Sequence, residues 1–221
     1  MRGQRFVGLS MSQCLQVLDQ PDSPLEPPGW NHARLYFDGG ARGNPGPGGG
    51  GWALVTQDTH TNEWVLTACG YAYKGTSVTN NYCEYAALQD GLAYARTELE
   101  HTATHLEVYG DSNMIIDARN GYATLVAPHL QNAATNVDRI ASNIAWISWK
   151  HVKREYNKMA DYLANVAMDS RGTRTLRETT TGPDSERFKQ VRRLLENDIQ
   201  GSTSRLRHIS LIKILRQFQG S

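Results

Sequence analysis

Long apolar runs are missing from this 221-residue chain: no stretch approaches the roughly 18 unbroken residues that a membrane-spanning helix needs. Cysteine is scarce. Cys14, Cys69 and Cys83 form an odd set with no C-x-x-C pair and no spaced His/Cys group, which excludes a disulfide framework and a zinc site and fits a reducing, intracellular compartment, cytoplasmic or nuclear. No Gly-Lys-Ser/Thr ending follows the glycine-rich stretch after Asp38, so the chain has no Walker phosphate loop. Internal repeats are absent. Residues 120–136 hold no Lys or Arg at all, which removes a basic protrusion from the middle of the chain.

What remains supports a packed core: 39% hydrophobic, 20% charged and 9% aromatic residues. The formal charge of +1 conceals a segregation. Residues 31–170 carry 10 basic and 14 acidic groups, whereas residues 171–221 carry 11 and 5, so an acidic body bears a basic tail. Pro21, Pro24, Pro27, Pro28 and Gly29 mark a linker, and residues 1–30 read as a disordered N-terminal segment ahead of a domain at 31–170. Arg2, Arg5 and the lack of any acid before Asp19 give that segment a faint likeness to an organelle-targeting peptide.

Inside the domain, Arg34 to Asp38, Trp52 to Thr56 and Trp64 to Tyr73 read as three strands in a meander, with a turn-rich stretch from Gly39 to Gly51 between the first two. Tyr85, Leu88, Leu92 and Ala95 recur at helical spacing, predicting a helix over 79–97. A strand at 105–109, helices at 112–120 and 128–142, a strand at 144–152 and a helix at 155–170 follow. The order predicts a mixed α/β sheet with helices packed over it. Two amphipathic segments, 184–199 and 204–218, predict a helical C-terminal appendage.

Four acids stand where carboxylates are hard to dismiss as solvated surface: Asp38 before Gly39-Gly40, Glu84 early in the first helix, Asp111 after Gly110, and Asp161 in the last helix of the body. Brought together they would repel and raise one another's pKa, so they call for a cation. Oxygen-only ligands select Mg²⁺, with Mn²⁺ as substitute. A pair of such ions suits in-line phosphoryl displacement.

The segments Asp38-Gly-Gly-Ala-Arg-Gly-Asn-Pro, Thr79-Asn-Asn-Tyr-Cys-Glu84, Tyr109-Gly-Asp111-Ser-Asn and His151-Val-Lys-Arg-Glu-Tyr-Asn157-Lys-Met-Ala-Asp161 occur in that order. Together they closely resemble the four motifs of the type 1 ribonuclease H family, over about residues 34–170. The resemblance implies a ribonuclease H-like five-stranded mixed sheet with helices on both faces. It also implies a metal-dependent endonuclease that cuts the RNA strand of RNA–DNA hybrids and leaves 5′-phosphate ends. Asp38, Glu84, Asp111 and Asp161 then match the catalytic ligands of two Mg²⁺ ions. Gly39, Asn44, Thr79, Asn80, Asn81 and Asn113 match substrate contacts, the Asn pair as minor-groove readers. Taken alone, the glycines also read as a tight turn, and Thr79 as a helix cap.

Two departures from the family pattern bear on function. Some members carry a loop histidine before the last helix; here His151 is the candidate, and its position reads as a strand residue. With no basic protrusion, grip on the hybrid falls to the tail at 171–221, which could also contact a protein partner and equally reads as an appendage packed on the body. Two rival readings stand beside the enzyme: a non-catalytic module binding hybrid or double-stranded RNA, and a ribonuclease H domain of retroelement origin.

Overall fold

A computed structural model describes residues 31–102 and 104–199. The expected N-terminal segment, its targeting pattern and the 204–218 segment lie outside the described residues. No helix among the described residues is long and apolar enough to cross a membrane.

Among the described residues, six strands and five α-helices follow one another: β1 (Asn31–Ala41), β2 (Gly46–Gln57), β3 (Trp64–Val78), α1 (Asn80–Glu98), β4 (Thr104–Gly110), α2 (Asn113–Arg119), α3 (Pro128–Ala141), β5 (Trp146–His151), α4 (Lys158–Ser170), β6 (Thr173–Leu176) and α5 over 183–199. They form one sheet in the order β5-β4-β1-β2-β3-β6. The β1–β4 and β4–β5 pairs are parallel and the other pairs antiparallel. Alternation along β1 divides the core. Leu35 and Phe37 face α1, α2 and α3 with Leu88, Leu92 and Ile115, while Tyr36 faces the other side with Met159, Leu163 and Val191. Trp52 belongs to the core, buried against Tyr94.

Three expectations need correction. The sheet has six strands rather than five, because Thr173–Leu176 pairs with Cys69–Ala72 at the edge of β3. The body does not close at Ser170. Leu176, Phe188, Val191 and Leu195 are buried in the same core cluster as Leu163, so for residues 171–199 the packed helical appendage is the reading that holds, not a free tail. The third correction concerns the glycine stretch. Gly46 to Gly51 is strand, paired with β3 and, from Gly48 on, also with β1, and only the turn at 42–45 separates it from β1. Helices press on both faces of this strand. A Cβ at Gly49 would sit 2.7 Å from the Cβ of Ala167 on α4, and one at Gly50 would sit 2.8 Å from the Cβ of Ala87 on α1. Close helix–strand packing, not loop freedom, is what those glycines supply.

The basic surplus of the segment after Ser170 is largely neutralised where it is described. Arg174 and Arg187 pair with Asp184, Arg177 with Glu98, Lys189 with Glu186, and Arg192 with Glu178.

Candidate active site

The four acids arrive from four separate elements. Asp38 lies within β1, Glu84 one turn into α1, Asp111 directly after β4, and Asp161 in the first turn of α4. All four line one cavity of about 460 Å³, together with Gly39, Asn80, Arg42, Arg154 and Asn165. Parallel pairing of β1 with β4 carries Asp38 and Asp111 to the same end of the sheet. The α1 N-terminus meets that end because Gly39 has no side chain: a Cβ there would collide with the backbone of Cys83 and Glu84.

Crowded carboxylates leave a mark on their protonation. Asp38, 7% exposed, is pushed up to about 8, first by burial and then by Asp111, Asp161 and Glu84, against the pull of the Gly39 N–H. The Gly39 N–H donates to Asp38 Oδ1 at 2.7 Å. Burial also raises Glu84, with Asp111 adding to the rise and a hydrogen bond from Ser112 and the charge of Arg154 opposing it. Its Oε2 is buried without a hydrogen-bond partner in the protein, an acceptor free for a cation, a proton or a water. On chemistry the set fits a hard divalent ion: carboxylate oxygens from several elements, mutually repelling, one of them orphaned. Among the described residues, no three acidic, histidine or cysteine side chains have drawn together into a liganding cluster. Asp161 is turned instead toward Arg154, whose Nη2 donates to its Oδ1 at 3.1 Å.

Around the acids the expected polar residues take different places. Asn80 Oδ1 accepts from the Ala41 N–H at 2.7 Å, and the Asn80 N–H donates to Asn44 Oδ1 at 3.2 Å, so Asn44 and Asn80 tie the β1–β2 turn to the start of α1. Thr79 is the N-cap of α1, its hydroxyl accepting from the Tyr82 N–H at 3.3 Å. Asn81 reaches Met114 Sδ at 3.6 Å. Asn113, exposed at the first turn of α2, lies outside the cavity lining. His151 is the last residue of β5 and exposed, with Nε2 3.2 Å from the Asp111 carbonyl oxygen.

Two further residues matter that spacing alone does not single out. Arg154 puts its guanidinium into the cavity from the short 3₁₀ turn Arg154–Tyr156. Asn157 is fully buried, and its Nδ2 donates both to the Phe37 carbonyl at 2.9 Å and to Asp111 Oδ1 at 3.2 Å. Both stand inside the fourth motif, but only the strand-to-helix geometry shows where they point.

Residues 36–167 match the reverse transcriptase-like family. A bifunctional protein of Mycobacterium tuberculosis is 36% identical over 136 residues, covering 62% of this chain and 35% of that protein. The chain thus spans about a third of the length of its mycobacterial relatives. Ribonuclease HI of Halobacterium salinarum is 32% identical over 145 residues, covering 66% of this chain and 68% of that one. Among solved structures, the N-terminal RNase H domain of the mycobacterial protein aligns with TM-score 0.56 at 34% identity, covering 63% of this chain and 95% of that domain. LC11-RNase H1, solved in complex with an RNA/DNA hybrid, aligns with TM-score 0.54 at 30% identity, covering 63% of this chain and 98% of that one.

Proposed function

The chain belongs to the reverse transcriptase-like, ribonuclease H family, and from that premise we propose that it is an endonuclease hydrolysing the RNA strand of RNA–DNA hybrids with divalent metal. The observation that carries this reading is the convergence of Asp38, Glu84, Asp111 and Asp161 on one cavity, with Glu84 Oε2 buried and unpartnered. Those four carboxylates would hold two Mg²⁺ ions, or Mn²⁺ in their place. Bound there, the ion pair supplies activation of a water nucleophile and neutralises charge at the departing 3′ oxygen, so that 5′-phosphate ends result.

The chain's own residues prepare that chemistry. Asn157 locks the Asp111 carboxylate to the backbone of β1 through one amide, fixing two of the four acids relative to each other. Arg154 donates to Asp161 from the cavity wall, where its guanidinium can also meet phosphate oxygens. The hydrogen-bonded frame of Ala41, Asn44 and Asn80 sets a backbone edge beside the acids, with Thr79 and Asn81 at the same helix start. There side-chain amides can read the minor groove and sugar hydroxyls of a hybrid, joined by Gly39 and Asn113. Beyond the described residues, Arg205, Arg207, Lys213 and Arg216 add phosphate contacts.

The test is cleavage of matched hybrid, RNA-duplex and DNA-duplex substrates with and without Mg²⁺. Metal-dependent cutting of the hybrid's RNA strand, with 5′-phosphate products, is expected. Hybrid binding without cutting in Mg²⁺ or Mn²⁺ would establish the non-catalytic module instead.

A further inference from the structure

Helix α4 carries Asp161 yet begins without a local cap. Its N-cap residue, Asn157, makes no side-chain cap bond: its Nδ2 is turned to Phe37 and Asp111, and its Oδ1, the atom that would accept, is buried without a partner. The first N–H groups of a helix need acceptors, and buried ones need them most. Here the acceptor comes from far along the chain: Asp198 Oδ2, on α5, receives the Met159 N–H at 3.3 Å, and the Lys158 N–H also bonds this carboxylate. Asp198 is 3% exposed, a charge-bearing side chain on a helix that otherwise contributes Phe188, Val191 and Leu195 to the core. Burying a carboxylate is costly, and burial does push it up to about 6 against the pull of those two N–H groups and the Lys158 ammonium. An apolar residue in its place would leave the α4 amides without partners.

We propose that Asp198 is a positioning residue for the metal site: from outside the family-matched region it caps α4 and so fixes the Asp161 carboxylate among the other three. Met159 stands two residues before Asp161 on the same helical turn, so freedom at that N–H becomes freedom in the Asp161 side chain. A carboxylate at this end also complements the helix dipole. The assignment of Asp161 as a ligand is taken from the ribonuclease reading above. The cap itself rests on the geometry alone. By this account α5 is part of the catalytic unit, although residues 183–199 lie beyond the family match at 36–167.

The experiment compares the full-length chain with Asp198→Ala, Asp198→Asn and the control Val191→Ala, which thins the same helix's core packing without touching the cap. Amide exchange across Met159 to Asp161 and direct titration with Mn²⁺ are read under conditions of equal folded fraction. In Asp198→Ala the amides should exchange about fivefold to thirtyfold faster, the range that loss of a cap commonly brings. The half-saturating Mn²⁺ concentration should rise about threefold or more. Asp198→Asn, which keeps an acceptor oxygen, should fall between it and the wild type, and Val191→Ala should match the wild type in both readouts. Unchanged exchange in Asp198→Ala, or equal Mn²⁺ weakening in Asp198→Ala and Val191→Ala, would overturn the proposal. A wild-type chain that binds Mn²⁺ but cuts no hybrid would defeat the ribonuclease reading alone, while one that binds no Mn²⁺ would defeat both.

Discussion

One amide joins two of the acids' supports: Asn157 Nδ2 is shared between the Phe37 carbonyl, one residue before Asp38, and Asp111 Oδ1. Removing it leaves a buried carbonyl without a donor and frees the Asp111 side chain to turn. Asn157→Ala should therefore cost about 1–3 kcal/mol of stability, the penalty for an orphaned buried acceptor. Cleavage should fall more than tenfold at a temperature where the variant remains folded. Thermal unfolding and initial rates measured on one preparation check both.

Asp111→Asn keeps the shape and an oxygen for Asn157 but loses the charge. Cleavage should fall at least a hundredfold while hybrid binding and the unfolding midpoint stay near wild type. Turnover within tenfold of wild type at saturating Mg²⁺ would remove Asp111 from the catalytic set.

The raised Asp38 carboxyl has a pH consequence without metal. The unfolded chain releases this proton near the ordinary carboxylate value of about 4, whereas the folded chain holds it until about 8. Stability from this group is thus fully present below about 4 and is lost as pH rises through about 8. In EDTA the unfolding midpoint should decline between pH 6 and pH 8. Added Mg²⁺ should raise it more at pH 8 than at pH 6, because the ion favours the ionised form. A metal-induced shift independent of pH in differential scanning fluorimetry would contradict this.

Arg154 is exposed and paired to a single carboxylate, so its loss should be mild for folding and marked for substrate. Arg154→Ala should raise the KM for hybrid about threefold to tenfold at moderate salt, with the unfolding midpoint nearly unchanged. Arg154→Lys keeps the charge without the fork and should recover only part of the loss. Steady-state kinetics across a salt series separates the two.

Two truncations should behave oppositely. Ending the chain after Ser170 strips β6 and α5 from a core face that includes Tyr71 and Leu163, and the product should be insoluble or unfolded. Ending it after Ile199 keeps the described fold and removes Arg205, Arg207, Lys213 and Arg216. If these side chains neutralise phosphates, the slope of log affinity against log salt should become shallower by up to about 0.9 for each phosphate left unneutralised in the shorter chain. An identical slope would free that segment from nucleic acid.

Much of this protein is legible along the chain. Hydrophobic period and turn residues place nearly every element of the body within a few residues, because α1, α3 and β4 bury faces that local spacing defines. The four acids are recognisable for a related reason: each sits in a short motif whose order and spacing survive unfolding. What the spacing of residues could not determine depends on contacts between distant segments. Gly46 to Gly51 reads as loop vocabulary, yet it is a central strand, since only the approach of Ala87 and Ala167 from opposite faces makes a missing side chain an advantage there. The stretch after Ser170 reads as a basic tail, yet Thr173–Leu176 gains its strand identity from an edge that β3 offers. Asn157 and Asp198 look like ordinary polar residues until folding buries them, 46 and 39 positions away from the groups they hold. Local sequence determined which side chains could do chemistry, because composition and period are short-range properties. Tertiary structure alone decided which backbone groups they would satisfy, because a buried donor or acceptor exists only once the chain has closed around it.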